Sequence, residues 1–274
     1  MKSPRRVRVA TIIALLAALS TTARAQTDEI QVYDAGIAAR GVFNLTWHNN
    51  FIANGIRGQA FPGAVAADRS FNGVPEWAYG VARWFEAGLY MPLYSRDQTV
   101  GWGFNGFKLR ALFVVPDADD RTFVYGLNFE TSYNAKRWDT RRITEEMRPI
   151  IGWHLKPVDI IINPILDTNF EGGVKGLEFV PAARLAYNVS GAWAIAAEEY
   201  AGLGTLGNLQ PTNNQVHQLF AVVDHTGGSF DLEAGAGFGI TSGTDKLTFK
   251  LIISRDLNRK KSEPPASDRS RPRQ

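Results

Sequence analysis

Residues 122–133 read TFVYGLNFETSY, and the two alternate sets of side chains in this stretch differ in kind. One set is Phe123, Tyr125, Leu127, Phe129, Thr131 and Tyr133; the other is Val124, Gly126, Asn128, Glu130 and Ser132. Successive residues of a strand point to opposite faces, so this is a strand with one oily, aromatic-ended face and one small or polar face. In a soluble sandwich the oily face would be the core. In an outer-membrane barrel it meets lipid, and the polar face lines the lumen.

Where the chain is sent helps to decide between these. Lys2, Arg5, Arg6 and Arg8 precede an apolar run over 9–19, which ends before Ala23-Arg24-Ala25 and Gln26. This is the pattern of a secretory signal peptide over 1–25. The apolar run is about half of the ~20 residues that a spanning helix needs, so export through the inner membrane is expected without a retained helical anchor. A chain that enters a membrane after this does so as strands.

The full sequence carries a formal charge of +3, but the 1–25 segment holds five basic residues and no acidic one. Residues 26–274 hold 25 basic and 27 acidic residues, a net of −2. A nucleic-acid partner is therefore not expected, because a phosphate backbone calls for a concentrated basic surface. With no cysteine there is neither a disulfide framework nor a thiolate site.

The alternating pattern recurs. Phe43, Leu45 and Trp47 share one side of a first strand, and further strands are expected at 76–82, 85–93, 103–115, 122–133, 146–155, 158–170, 177–189, 193–203, 215–224, 230–241 and 246–254. Twelve strands of roughly the 9–11 residues a tilted transmembrane strand requires suit an even-numbered bacterial barrel. Connections alternate between tight turns (83–84, 116–121, 156–157, 190–192, 225–229) and looser loops (49–74, 94–102, 134–145, 171–176, 204–214, 242–245), as periplasmic turns and external loops do. Pro116, Asp117, Asp119 and Asp120 supply turn chemistry to one of the tight connections.

The same periodicity puts the ionisable residues on one face. Candidates for the lumen are Lys108, Arg110, Glu130, Glu146, Arg148, Asp167, Glu178, Arg184, Glu198, Asp231, Glu233 and Lys250. Ile151, Trp153, Ile160, Ile162, Leu185, Tyr187, Phe249 and Leu251 fall on the opposite, lipid side. Charges of both signs on one inner face form compensating ion pairs, or else line a narrow polar pore and select its solutes. Asp231, Glu233 and Glu198 form a weaker candidate acid–base set. No catalytic residue, cofactor or metal is expected. Gly101-x-Gly103-x-x-Gly106 lacks the strand before it and the helix after it that a dinucleotide site needs, and His48, His154, His217 and His225 have no metal-ligand spacing. The loop at 134–145 carries Lys136, Arg137, Arg141 and Arg142 around Trp138, a basic loop that could reach lipopolysaccharide phosphates.

Several blocks carry a resemblance: EIQVYDA at 29–35, FNLTWHNN at 43–50, PEWAYGV at 75–81, FKLRALFVVP at 107–116, EMRPIIGW at 146–153, VPAARLA at 180–186 and HQLFAV at 217–222. They resemble a group of largely uncharacterised proteobacterial outer-membrane β-barrel proteins. That group is distantly similar to the outer-membrane family linked to the meta-pathway of phenol degradation. The resemblance implies a channel for small solutes, hydrophobic or aromatic ones among them. It also implies outer-membrane lipid, lipopolysaccharide and the barrel-assembly machinery as partners. One departure is the basic, Pro- and Ser-containing tail in place of a C-terminal aromatic residue.

The expectation is an all-β protein, an antiparallel up-and-down transmembrane β-barrel of about twelve strands over 41–254, in the outer membrane. Residues 26–40 form a periplasmic lead-in and 255–274 a disordered tail. A closed structural or surface-binding barrel is the alternative function, and a lipid-acting enzyme a more distant one.

Overall fold

The computed structural model describes residues 29–258, so the signal segment and the tail beyond 258 lie outside the described residues. All described strands belong to one antiparallel sheet that closes on itself. Twelve strands form the wall: β1 Phe43–Asn54, β2 Phe71–Ala82, β3 Phe85–Asp97, β4 Gly101–Val114, β5 Phe123–Asn134, β6 Ile143–His154, β7 in two pieces (Val158–Asn163 and Leu166–Thr168), β8 in two pieces (Glu178–Phe179 and Ala182–Asn188), β9 Trp193–Gly202, β10 Val216–His225, β11 Asp231–Gly239 and β12 Leu247–Asp256. Each strand pairs with the next, and β1 pairs with β12 from Asn44↔Asp256 to Asn54↔Leu247. The last strand thus ends two residues beyond 254.

Three boundaries differ from the sequence expectation. The loop at 49–74 shrinks to 55–70, because β1 and β2 run on to a Phe51↔Phe71 pair. Inward Asn50 and Asn72 had hidden the alternation there. Gly73 permits the close approach, since a Cβ at this position would lie 2.6 Å from the Tyr94 hydroxyl and 2.7 Å from the His48 carbonyl oxygen. The loop at 94–102 reduces to the three residues between Asp97 and Gly101. The strand expected over 158–170 breaks at Pro164-Ile165, and β8 breaks opposite it at Val180-Pro181. Proline cannot donate to a ladder, and Ile165 turns into the interior.

The barrel inverts the usual distribution of polarity. Large exposed side chains such as Trp47, Trp77, Leu109, Tyr125, Leu185 and Phe249 face outward, while Glu76, Glu130, Arg148, Glu198 and Lys250 are buried inside. Aromatic rings gather near the tight-turn end, where Phe85 stacks on Phe113 at 4.9 Å and Phe123 meets Trp153 at 5.6 Å. A second set, Phe71, Tyr94 and Trp102, lies near the opposite end. Two belts bracketing an apolar band are what a bilayer's two interfaces select. Among the described residues no helix is long and apolar enough to cross a membrane, and the strands make the crossing.

The lead-in expected on the periplasmic side spans 26–40; its described residues, 29–40, run with Gly41 and Val42 into the barrel. The inner wall has apolar patches toward the tight-turn end. Tyr33 and Ala35 pack on Leu112, Val114, Val124 and Ile150; Val32 packs on Ile161, Ile165 and Ala182; Ile30 packs on Phe220 and Val222. A water-filled lumen would leave these patches wet, so the chain's own first segment covers them. Asn163, at the break in β7, bonds the segment's backbone twice: it accepts from the Tyr33 amide at 2.7 Å and donates to the Tyr33 carbonyl at 2.9 Å. At the entry the segment crosses Gly80 so closely that a Cβ there would stand 2.3 Å from the carbonyl oxygens of Ala38 and Ala39.

Leu109 stands outward near the middle of β4 and is 55% exposed. Leu109→Arg is expected to lower the stability of the barrel in lipid vesicles by about 2–4 kcal/mol, read from the urea unfolding midpoint. A soluble barrel would tolerate the change within about 0.5 kcal/mol.

Candidate lumen site

Inward positions fall at every second residue of each strand, except that β3 and β4 switch face at the irregularity between the Tyr90↔Lys108 and Leu93↔Gly106 pairs, and the register sets three charged groups around the lumen. The first lies on β1–β4. Arg110 Nη2 is 2.6 Å from Glu76 Oε1 and also bonds Glu86, while His48 Nε2 is 3.1 Å from Glu76 Oε2. Arg110 also donates to the hydroxyls of Tyr33 and Tyr90, each at 3.3 Å.

The second group spans β4–β8. Arg148 grips Glu146 with Nε at 2.7 Å and Nη2 at 3.1 Å. Lys108 Nζ stands 3.5 Å from Glu130 Oε2, and Glu130 Oε1 accepts from the Tyr33 hydroxyl at 3.0 Å and from Asn128 at 2.9 Å. Asp167 pairs in register with Glu146 and with Glu178.

The third group lies on β8–β12. Lys250 Nζ is 2.5 Å from Glu198 Oε2 and 2.5 Å from Glu233 Oε1. Arg184 bonds Glu198 and Asp224 and lies 3.7 Å from Glu233. Tyr200 donates to Glu198 at 2.7 Å.

Eleven of the twelve sequence candidates fall within these groups, though Glu178 is only partly covered. Asp231 does not join them. It is exposed at the rim beside the β10–β11 turn, where Oδ1 accepts from the Gly227 amide at 2.9 Å. The proposed acid–base set of Asp231, Glu233 and Glu198 is therefore not assembled, because Glu233 and Glu198 both belong to Lys250. Glu76, Glu86 and Asp224 were not among the candidates, yet inward alternation in the two hairpins points to each. Glu29 and Tyr33 had no such signal, since they are not in strands. Gly103, part of the dinucleotide-like motif, lies under the Arg137 guanidinium, and Gly106 (φ +134°) is pressed against the Tyr133 backbone.

The inserted segment is tied to every group. The Ala38 amide donates to Glu86 at 2.5 Å, Arg148 Nη1 donates to the Gln31 carbonyl at 2.9 Å, and Lys250 donates to the Ile30 carbonyl at 3.3 Å. The Arg148 guanidinium also lies 4.2 Å from the centre of the Tyr33 ring, within cation–π range. Glu29 lies in no strand. Burial, and next the Glu130 charge, push its carboxyl up to about 7, against the opposing pull of Arg148, His48 and Lys108.

No protein-family model matches the chain, and no curated protein matches it. The likeness to the phenol-pathway family therefore stands on the quoted residues alone. Solved structures do match. An outer-membrane channel from Pseudomonas putida F1 is 12% identical over 84% of this chain and 100% of that one, with a TM-score of 0.55. The NanC porin is 9% identical over 78% of this chain and 100% of its own, with a TM-score of 0.49. The translocator domain of the autotransporter NalP from Neisseria meningitidis is 11% identical over 91% of this chain and 95% of its own, with a TM-score of 0.43. At such identities the likeness is one of fold. The fold is that of an outer-membrane β-barrel, porin-like in architecture.

Two outcomes follow from this geometry. Lys250→Met leaves Glu198 and Glu233 buried without their shared base. It is expected to cost about 3–5 kcal/mol in urea unfolding, and Glu198→Gln with Glu233→Gln in the same chain should restore most of it. The second concerns pH. A carboxyl raised from 4.5 to about 7 holds its proton in the folded state after the unfolded chain has lost it. Stability therefore falls as pH rises from about 4.5 to about 7, by at most about 3 kcal/mol. Glu29→Gln is expected to flatten that slope and to match the wild type below pH 4.5, as measured by unfolding midpoints across the range.

Proposed function

We propose that the protein resides in the outer membrane, after export, as a narrow channel for small solutes, with its N-terminal segment as the constriction. The observation that carries this reading is the inner wall itself. Its charged side chains are gathered inside a closed twelve-stranded wall, where they face the lumen and the inserted segment instead of lipid. Twelve strands lie between small barrels filled by side chains and the 16–18-stranded porins with open channels. The segment at 29–42 is tethered at Val42 to β1 and otherwise held to the wall by apolar packing, hydrogen bonds and charge contacts, so it narrows the path as a displaceable plug. Tyr90, Tyr200 and Phe220 set rings on the inner wall beneath the segment, so its displacement would uncover an aromatic surface suited to neutral aromatic or other hydrophobic solutes. The family resemblance points to the same class.

A second reading has its own support. Arg110 shared by Glu76 and Glu86, and Lys250 shared by Glu198 and Glu233, form paired networks, as in a closed structural or surface-binding barrel. A lipid-acting enzyme has less: His154 and His217 bond the carboxylates of Asp159 and Glu199. Lipopolysaccharide contact through the loop between β5 and β6 is compatible with both barrel readings, although Arg141 is paired with Glu171 at 2.5 Å.

Single-channel recording on refolded 26–274 in a planar bilayer is the test. Small discrete steps are expected, enlarged by Val32→Asp, which sets a charge against Ile161, Ile165 and Ala182 and unseats the segment. Protein that is inserted, as judged by protease protection of its strands, yet conducts in neither form would overturn the channel reading in favour of the closed barrel.

A further inference from the structure

Glu130, Glu146, Asp167 and Glu178 sit on four consecutive strands, β5 to β8, and are paired directly across each ladder in turn. All four are inward positions of the same wall. Neighbouring strands are about 4.8 Å apart, and like charges placed directly opposite one another destabilise a sheet. A row of four carboxylates at one height is thus opposed by the physics of sheet pairing.

Nearby bases do not balance the row. Arg148 is committed to Glu146 through two bonds, and Lys108 stands beside Glu130. A fifth carboxyl comes from the inserted segment. Glu29 is 7% exposed and its Oε1 lies 3.8 Å from Arg148, yet neither of its oxygens accepts a hydrogen bond among the described residues. Asp167 Oδ1 and Glu130 Oε2 likewise accept none. With Glu29 protonated, the acids of the row still outnumber these two bases. The other two groups are nearer balance, with Glu76 and Glu86 on Arg110 beside His48 in one and Glu198, Asp224 and Glu233 on Arg184 and Lys250 in the other.

Resting on the channel reading, we propose that this carboxylate row is a cation-selecting band, so that the lumen passes small monovalent cations and neutral solutes and rejects anions. Among the described residues no three acidic or histidine side chains converge closely enough to hold a metal ion. The row therefore acts on passing ions and not as a fixed metal centre. Rings of Asp and Glu select cations in channels, and low-dielectric walls focus the field of such a row on the path.

The experiment is the reversal potential of mature 26–274 across a KCl gradient, with Asp167→Asn/Glu178→Gln alongside. The wild type is expected to favour potassium over chloride by on the order of tenfold, and the double variant to lose several-fold of that preference. Refolding of the variant is verified by heat-modifiable migration on gels. An anion-selective or unselective wild-type channel overturns the proposal and leaves the channel reading intact. A folded double variant as selective as the wild type overturns the assignment to the row. A barrel that inserts and never conducts overturns the channel reading and this inference with it.

Discussion

The constraint on which the whole structure depends is that a lipid-facing backbone finds no water to bond. Every amide and carbonyl in the apolar band has to be paired within the sheet, so the sheet has to close. The β1–β12 ladder supplies that closure. Closure in turn separates two surfaces with opposite chemistry, a lipid side where Leu, Phe and Trp cost nothing to expose and an inner side that the wall and the inserted segment enclose. Ionisable groups on the inner side then need partners within reach, which is why Arg110, Arg148, Arg184 and Lys250 each contact at least one carboxylate.

Charge pairing does not fill the interior by itself. Leu112, Val124, Ile150, Ile161, Phe220 and Val222 also point inward, and burying apolar side chains of this size is worth about 1.5–3 kcal/mol each. Ile30, Val32 and Tyr33 cover them. The inserted segment thus acts as the hydrophobic core of half the barrel, while its backbone carbonyls engage Arg148 and Lys250. Apolar and polar contacts hold the same dozen residues, and displacing them costs both.

Much of the wall was legible in the sequence. A period of two is a direct consequence of strand geometry, and it placed Met147, Ile151 and Trp153 outward and Glu146 and Arg148 inward with no knowledge of register. The failures share a cause. Asn50 and Asn72 lie inward but uncharged, Asn72 beside Gly73, so the ends of β1 and β2 read as loop. Pro164 and Pro181 stop two ladders at a level where the alternation itself carries no warning. The segment at 29–42 was misplaced because its partners are contributed by β2 through β12, and no local pattern reveals which surface a short apolar stretch will cover. The carboxylate row was equally invisible, since strand identity can be read from periodicity but the pairing of Glu130 with Glu146, of Glu146 with Asp167 and of Asp167 with Glu178 depends on register.

The direction in which the first segment runs has a practical consequence. From Val42 at the rim the chain goes inward, so Glu29 lies deep among Glu130, Arg148 and Lys108 and not at an accessible end. A bulky label attached at Ile30 or Val32 would therefore compete with the apolar wall that these two side chains cover. The opposite terminus leaves β12 at the rim, where Asn258 bonds the Gly41 carbonyl. A label on Asn258 itself sits at that exposed rim, away from the interior that the first segment fills.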